Sequence, residues 1–240
     1  MGEPPSTYGD AWVYESIVGA LPGVSLSPWR SALVQFVLFE GGLLVVAALS
    51  GRWNAVPAGT TAIVVAAVGS LAMSRIANRI RTADAPRTYR RLLFGPNVEV
   101  VLAVLAFVAL VTYLFTFDTG TEPLVTQLLG ESPPMLGVYL LLLVCWDLCY
   151  RIGTGWWASV TALWRSWTYE FPPDQARALS RADGETLAFG LLQLALVPFV
   201  AGQPVLAAAL LGHVVAMVVV TGLSLLLLWK NRSVTVVSSS

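Results

Sequence analysis

Glu40, Asp147 and Arg151 are ionisable residues placed where a membrane-spanning chain has little tolerance for charge. Glu40 stands in Phe-Glu-Gly-Gly at the midpoint of an apolar run over 31–50, with Phe36, Val37, Leu44 and Ala47 on its helical face. A charged side chain at the centre of a bilayer costs about 2.5–3.5 kcal/mol on insertion scales. Glu40 must therefore be neutral, paired or reached by water. One chemistry this permits is proton or cation handling by a midplane carboxylate. The other is a protonated carboxyl that hydrogen-bonds a neighbouring helix. The two glycines that follow would let such a helix come close.

Asp147 and Arg151 lie one helical turn apart, and the helical period extends them into a stripe: Asp147, Tyr150, Arg151, Thr154, Ala158, Thr161 and Arg165. Trp146, Trp156, Trp157, Trp164 and Trp167 fall on the other side. Lipid cannot satisfy a polar stripe, so it must face protein or a water-filled cavity. It reads either as the wall of a pore or as an ion pair that fixes helix packing, with Arg151 reaching toward the aqueous edge. Glu99 and Arg75, near the ends of their own apolar runs, are candidates to complete a polar cluster with Asp147. Gln193 in a later run reads as a helix–helix hydrogen bonder. His213 lies between Ala208, Gly212 and Ala216, a small-residue face suited to close packing, and reads as a packing residue or a proton relay.

Other chemistries are excluded by composition. The sequence has no Walker A loop, dinucleotide fingerprint, HExxH or Gly-x-Ser-x-Gly motif. The single histidine rules out a bis-histidine haem, and no other cofactor is implied. Cys145 and Cys149 share one helical face, where disulfide geometry is poor, and read as packing residues. The chain is not expected to be an enzyme. Its net charge is zero and its basic residues are dispersed, so no nucleic-acid partner is expected.

These residues need elements to hold them. The 240-residue chain is 56% hydrophobic and 12% charged, about half the charge of a soluble domain. Apolar runs at about 31–50, 56–76, 97–117, 133–168, 185–201 and 204–229 are each of a length to cross a bilayer core of about 30 Å. All Lys and Arg residues except Arg52 fall on one side of this six-span arrangement, which places both termini in the cytoplasm by the positive-inside rule. The basic loop at 75–96 is the strongest cytoplasmic marker; the acidic loop at 118–133, with Asp118, Glu122 and Glu131, lies outside.

Residues 11–21 predict a short interfacial helix. A fourth span continuing to 168 would be about 50 Å long, so it either projects beyond the bilayer or bends near Gly153 and Gly155. Residues 169–184 read as a polar link. No cleaved signal peptide is expected at Met-Gly-Glu-Pro-Pro.

The sequence thus predicts an all-α integral membrane protein with six transmembrane helices, N-in/C-in. It forms one polytopic domain over 1–240: a 1–30 N-terminal segment, a 31–229 bundle and a 230–240 tail. It is expected in the cell (plasma or inner) membrane, as a small channel or transporter for an ion or proton. Glu40, Asp147, Arg151, Glu99, Arg75, Tyr150 and Thr154 are its candidate pathway, and His213 and Gln193 are weaker candidates. The alternative is a non-catalytic subunit of a larger membrane complex, docked through the tryptophan face of span 4 and the small-residue faces of spans 2 and 6. Its partners are the lipid bilayer and either further copies of itself or a foreign membrane subunit.

Overall fold

The structure, a computed structural model, describes residue 12 and residues 26–95, 97–118 and 122–237. Every regular element among them is helical, and none is a strand. In chain order these are α1 (Pro28–Ser50), α2 (Val56–Thr82), α3 (Arg87–Phe94), α4 (Val98–Thr112), α5 (Leu124–Leu129), α6 (Met135–Thr168), α7 (Pro173–Leu192), α8 (Val197–Val200) and α9 (Pro204–Val237). Six helical stretches are long and apolar enough to cross a membrane, as in a multi-pass membrane protein. The predicted interfacial helix at 11–21 lies outside the described residues except for Trp12, whose ring packs edge-on against Phe94 at 5.1 Å.

Local chemistry sets the boundaries. Pro28 and Pro173 occupy first-turn positions, where the missing N–H costs nothing. α1 stops at Gly51, whose left-handed φ of 67° only glycine adopts freely, and the Arg52 N–H closes the end on the Ala47 carbonyl at 3.1 Å.

Several elements depart from the sequence expectation. The basic loop at 75–96 contains the end of α2 and the amphipathic α3, which buries Tyr89, Leu93 and Phe94 and turns its arginines outward or aside. The acidic loop contains α5. The polar link at 169–184 is instead largely the first half of α7. Its Ala176, Leu179, Ala182, Asp183 and Thr186 recur at helical spacing on the buried side. α9 runs on past 229 to Val237.

α6 is one unbroken helix of 34 residues that runs through Gly153 and Gly155. At 1.5 Å per residue it is about 50 Å long. It is the axle of the bundle, touching α1, α2, α3, α4, α7 and α9. Gly153 lets α4 come close: a Cβ there would stand 3.0 Å from the Ala103 backbone nitrogen and 3.2 Å from the Glu99 carbonyl oxygen.

α7 and α8 are one apolar stretch interrupted at Pro198. Proline has no N–H to give the Leu194 carbonyl, and the chain tightens into a 3-10 turn over Gln193–Leu196, in which Val197 N–H reaches that carbonyl instead.

Packing is uneven along the bundle. At the arginine-rich end Met73, Ile76, Tyr89, Phe94, Leu179 and Leu228 belong to one continuous core. The end that carries Arg52 and α5 has a smaller cluster around Val46, Leu114, Val125 and Leu129.

Candidate functional site

The polar stripe of α6 faces protein along its whole length: Asp147, Tyr150, Arg151, Thr154, Ala158, Thr161 and Arg165 are all buried. Its charges divide into two networks. In the first, Arg151 Nη2 donates to Asp147 Oδ1 at 2.9 Å, and Gln35 Nε2 of α1 donates to Asp147 Oδ2 at 2.7 Å. Arg151 and Asp147 expose 0% and 1% of their side chains, so little water competes for the pair. The Arg151 guanidinium also lies 5.7 Å from the centre of the Tyr150 ring. Thr154 turns its hydroxyl back to the Tyr150 carbonyl of its own helix at 2.8 Å, which removes it from the charged groups.

The second network centres on Arg165. Its Nη2 donates to Asp183 Oδ2 of α7 at 2.7 Å, to Ser166 Oγ at 3.0 Å and to Ser224 Oγ of α9 at 3.3 Å. Ser224 Oγ donates to the same Asp183 oxygen at 2.8 Å. Tyr89 of α3 stands over the guanidinium, with its centroid 5.1 Å away. This joint ties α3, α6, α7 and α9 together.

The other candidates scatter. Glu40 is half-buried between α1 and α2, where its Oε1 accepts a hydrogen bond from Thr60 Oγ1 at 2.8 Å; its buried Oε2 has no partner among the described residues. The glycines beside it admit no helix backbone: Gly41 faces open space and Gly42 meets only the Leu140 side chain. Glu99 is fully buried in the first turn of α4, with its backbone against Gly153.

Arg75 does not complete the cluster, because it sits on the exposed side of α2. The small-residue face of α9 is not packed within the chain, since Ala208 and Gly212 are exposed and nothing lies near Gly212. His213 turns instead toward Trp156, ring centres 6.1 Å apart. The tryptophan face of α6 is largely occupied from within: Trp146 packs edge-on against Phe107 of α4 at 5.5 Å, and Trp157 Nε1 donates to the Leu92 carbonyl at 3.1 Å. Gln193 is fully buried in the 3-10 turn, and neither atom of its amide has a partner among the described residues.

Gln35, Asp183, Ser166 and Ser224 are members of the two networks that the sequence did not single out. Gln35 had a signal, as a lone amide inside an apolar run. Asp183 had one too, in the buried periodicity of α7.

A cavity of about 540 Å³ opens inside the bundle at the Arg52 end. All six span-length stretches line it, with Leu43, Ala58, Ala109, Leu141, Phe199 and Leu210 among the contributors. The volume falls in the range of about 300–1,000 Å³ that holds small-molecule ligands. Its surface is almost wholly aliphatic and aromatic; Ser50, Arg52, Tyr113 and His213 are among the few residues that bring polar groups to it.

The fold and these sites define an all-helical polytopic bundle with two buried charge networks on one central helix and an apolar chamber beside them. A family model matches residues 7–224, and the chain belongs to that family, described as a family of unknown function (DUF7530). No curated protein and no solved structure matches the chain.

Proposed function

We propose that this multi-pass protein lies in the cell membrane with both termini cytoplasmic and acts as a small carrier that takes a long-chain, lipid-like molecule into its chamber. The observation that carries this reading is the chamber itself, about 540 Å³ lined by aliphatic side chains from every span-length stretch. A bundle surrounded by acyl chains has no reason to keep such a volume empty, since an unfilled void forfeits dispersion contacts along its walls. The orientation rests on the charge asymmetry of the loops.

Ala62 of α2 lines the chamber. Ala62→Phe is expected to abolish retention of co-purifying lipid-like molecules, read by native mass spectrometry, while the thermal midpoint stays level or rises because the added ring fills space. Retention equal to that of the parent would count against a chamber ligand.

A second reading, ion or proton transport, is favoured by one observation: the buried Glu40 Oε2 without a described partner. Under this reading Glu40→Gln abolishes proton or cation flux in liposomes, with the fold kept through the Thr60 hydrogen bond. Flux unaffected by the change removes Glu40 from any pathway. The Asp147–Arg151 pair supports a transport role less well, because both members are enclosed and each already holds a partner.

A further inference from the structure

We infer that Arg52 is an anion clamp at the chamber, selecting an amphiphile whose head carries a negatively charged oxygen group and whose apolar chain enters the cavity. The inference rests on the chamber being a ligand site. Three observations carry it. Arg52 lines the cavity, and it is the only Lys or Arg among the described residues at that end of the bundle. It is half-buried, yet its guanidinium forms no hydrogen bond or ion pair with a described residue. It is also held in place: its backbone closes the end of α1, and its guanidinium lies over Gly130, where a Cβ would stand 2.9 Å from Nη2. Gly130 has φ +88°, a conformation that glycine adopts far more readily than residues with a Cβ, which suits it to the position under the guanidinium.

No acidic group among the described residues of this end pairs with Arg52. Asp118 Oδ2 accepts the Leu124 N–H at 2.7 Å and its buried Oδ1 has no hydrogen-bond partner among the described residues, while Glu122 and Glu131 are exposed. A cation fixed beside an aliphatic chamber, with no ion-pair partner among the described residues, is complementary to an anionic head on an apolar chain. A guanidinium takes both phosphate and carboxylate in bidentate fashion, so a phospholipid phosphate and a free long-chain carboxylate share the required chemistry.

The test is retention by the full-length protein of phosphatidylglycerol, oleate and the phosphate-free, uncharged dioleoylglycerol, offered at equal concentration and read by native mass spectrometry. Arg52→Gln, Arg52→Lys and Ala62→Phe are run beside the parent. The parent is expected to prefer an anionic species over dioleoylglycerol by about tenfold, the worth of one charge-assisted hydrogen bond. Arg52→Gln should erase that preference while leaving chain retention, and Arg52→Lys should restore part of it. Phosphatidylglycerol ahead of oleate assigns the head to a membrane phospholipid, and the reverse order assigns it to a free acid. Retention without any anionic preference, unchanged in Arg52→Gln, overturns the clamp and leaves the chamber standing. No retention by the parent, or retention equal in Ala62→Phe, overturns the chamber and the clamp with it.

Discussion

Asp183→Ala is expected to cost about 3–5 kcal/mol of stability, the usual penalty for stranding one member of a buried ion pair. Arg165 is fully buried, and Asp183 is the carboxylate it holds at 2.7 Å. Ser166 and Ser224 remain after the change, but hydroxyl groups cannot neutralise a guanidinium. The double variant Arg165→Met, Asp183→Leu should be markedly more stable than Asp183→Ala, because it removes the charge that would otherwise be left alone. Thermal unfolding in detergent checks both. A double variant as unstable as the single one would mean that the hydrogen-bond joint of α3, α6, α7 and α9, rather than charge balance, is the source of the loss.

The second large effect is expected at Asp147 and Arg151. Either Asp147→Ala or Arg151→Ala should again cost about 3–5 kcal/mol, since each leaves its partner's charge enclosed. The exchanged pair Asp147→Arg, Arg151→Asp should recover part of this loss. Gln35 now donates Nε2 to the carboxylate at 147; after the exchange its amide must turn to present Oε1 to a guanidinium, and recovery is expected to be partial because the larger side chain at 147 must be repacked. Stability of the exchanged pair no better than that of either alanine variant would show that the two residues act separately. The changes at the two networks should be additive. The networks lie 14 residues apart on α6, about 20 Å along the axis, with no member in common.

The six span-length helices and the buried stripe of α6 were both legible in the sequence, for the same reason. Each depends on a helix's own composition and its 3.6-residue period. What lay beyond was whatever required a second helix. The stripe showed that Asp147 must meet protein, but nothing in its spacing pointed to Gln35, which is 112 residues away. Arg75 and Glu99 were indistinguishable as ends of apolar runs; helix rotation then buried one and exposed the other. Asp183 was hidden by its neighbours, because Ser-Arg-Ala-Asp-Gly-Glu is polar enough to pass for a link and is helical only because Pro172 and Pro173 start the turn just upstream. The chamber had no sequence signature, since it exists only where faces of all six span-length stretches meet.

The contrast between the two ends of the bundle has a consequence for how the molecule breathes. Amide hydrogens near Leu93, Leu179 and Leu228 sit in continuous core. Their exchange should require near-global unfolding. Around Val125 and Leu129 the helices lean on a hollow. There, openings of small free energy suffice, and exchange should run ahead of the rest. A stiff base with a compliant crown is the expected pattern, and under the proposed function it would let the crown admit a guest without disturbing the two charge networks set into α6.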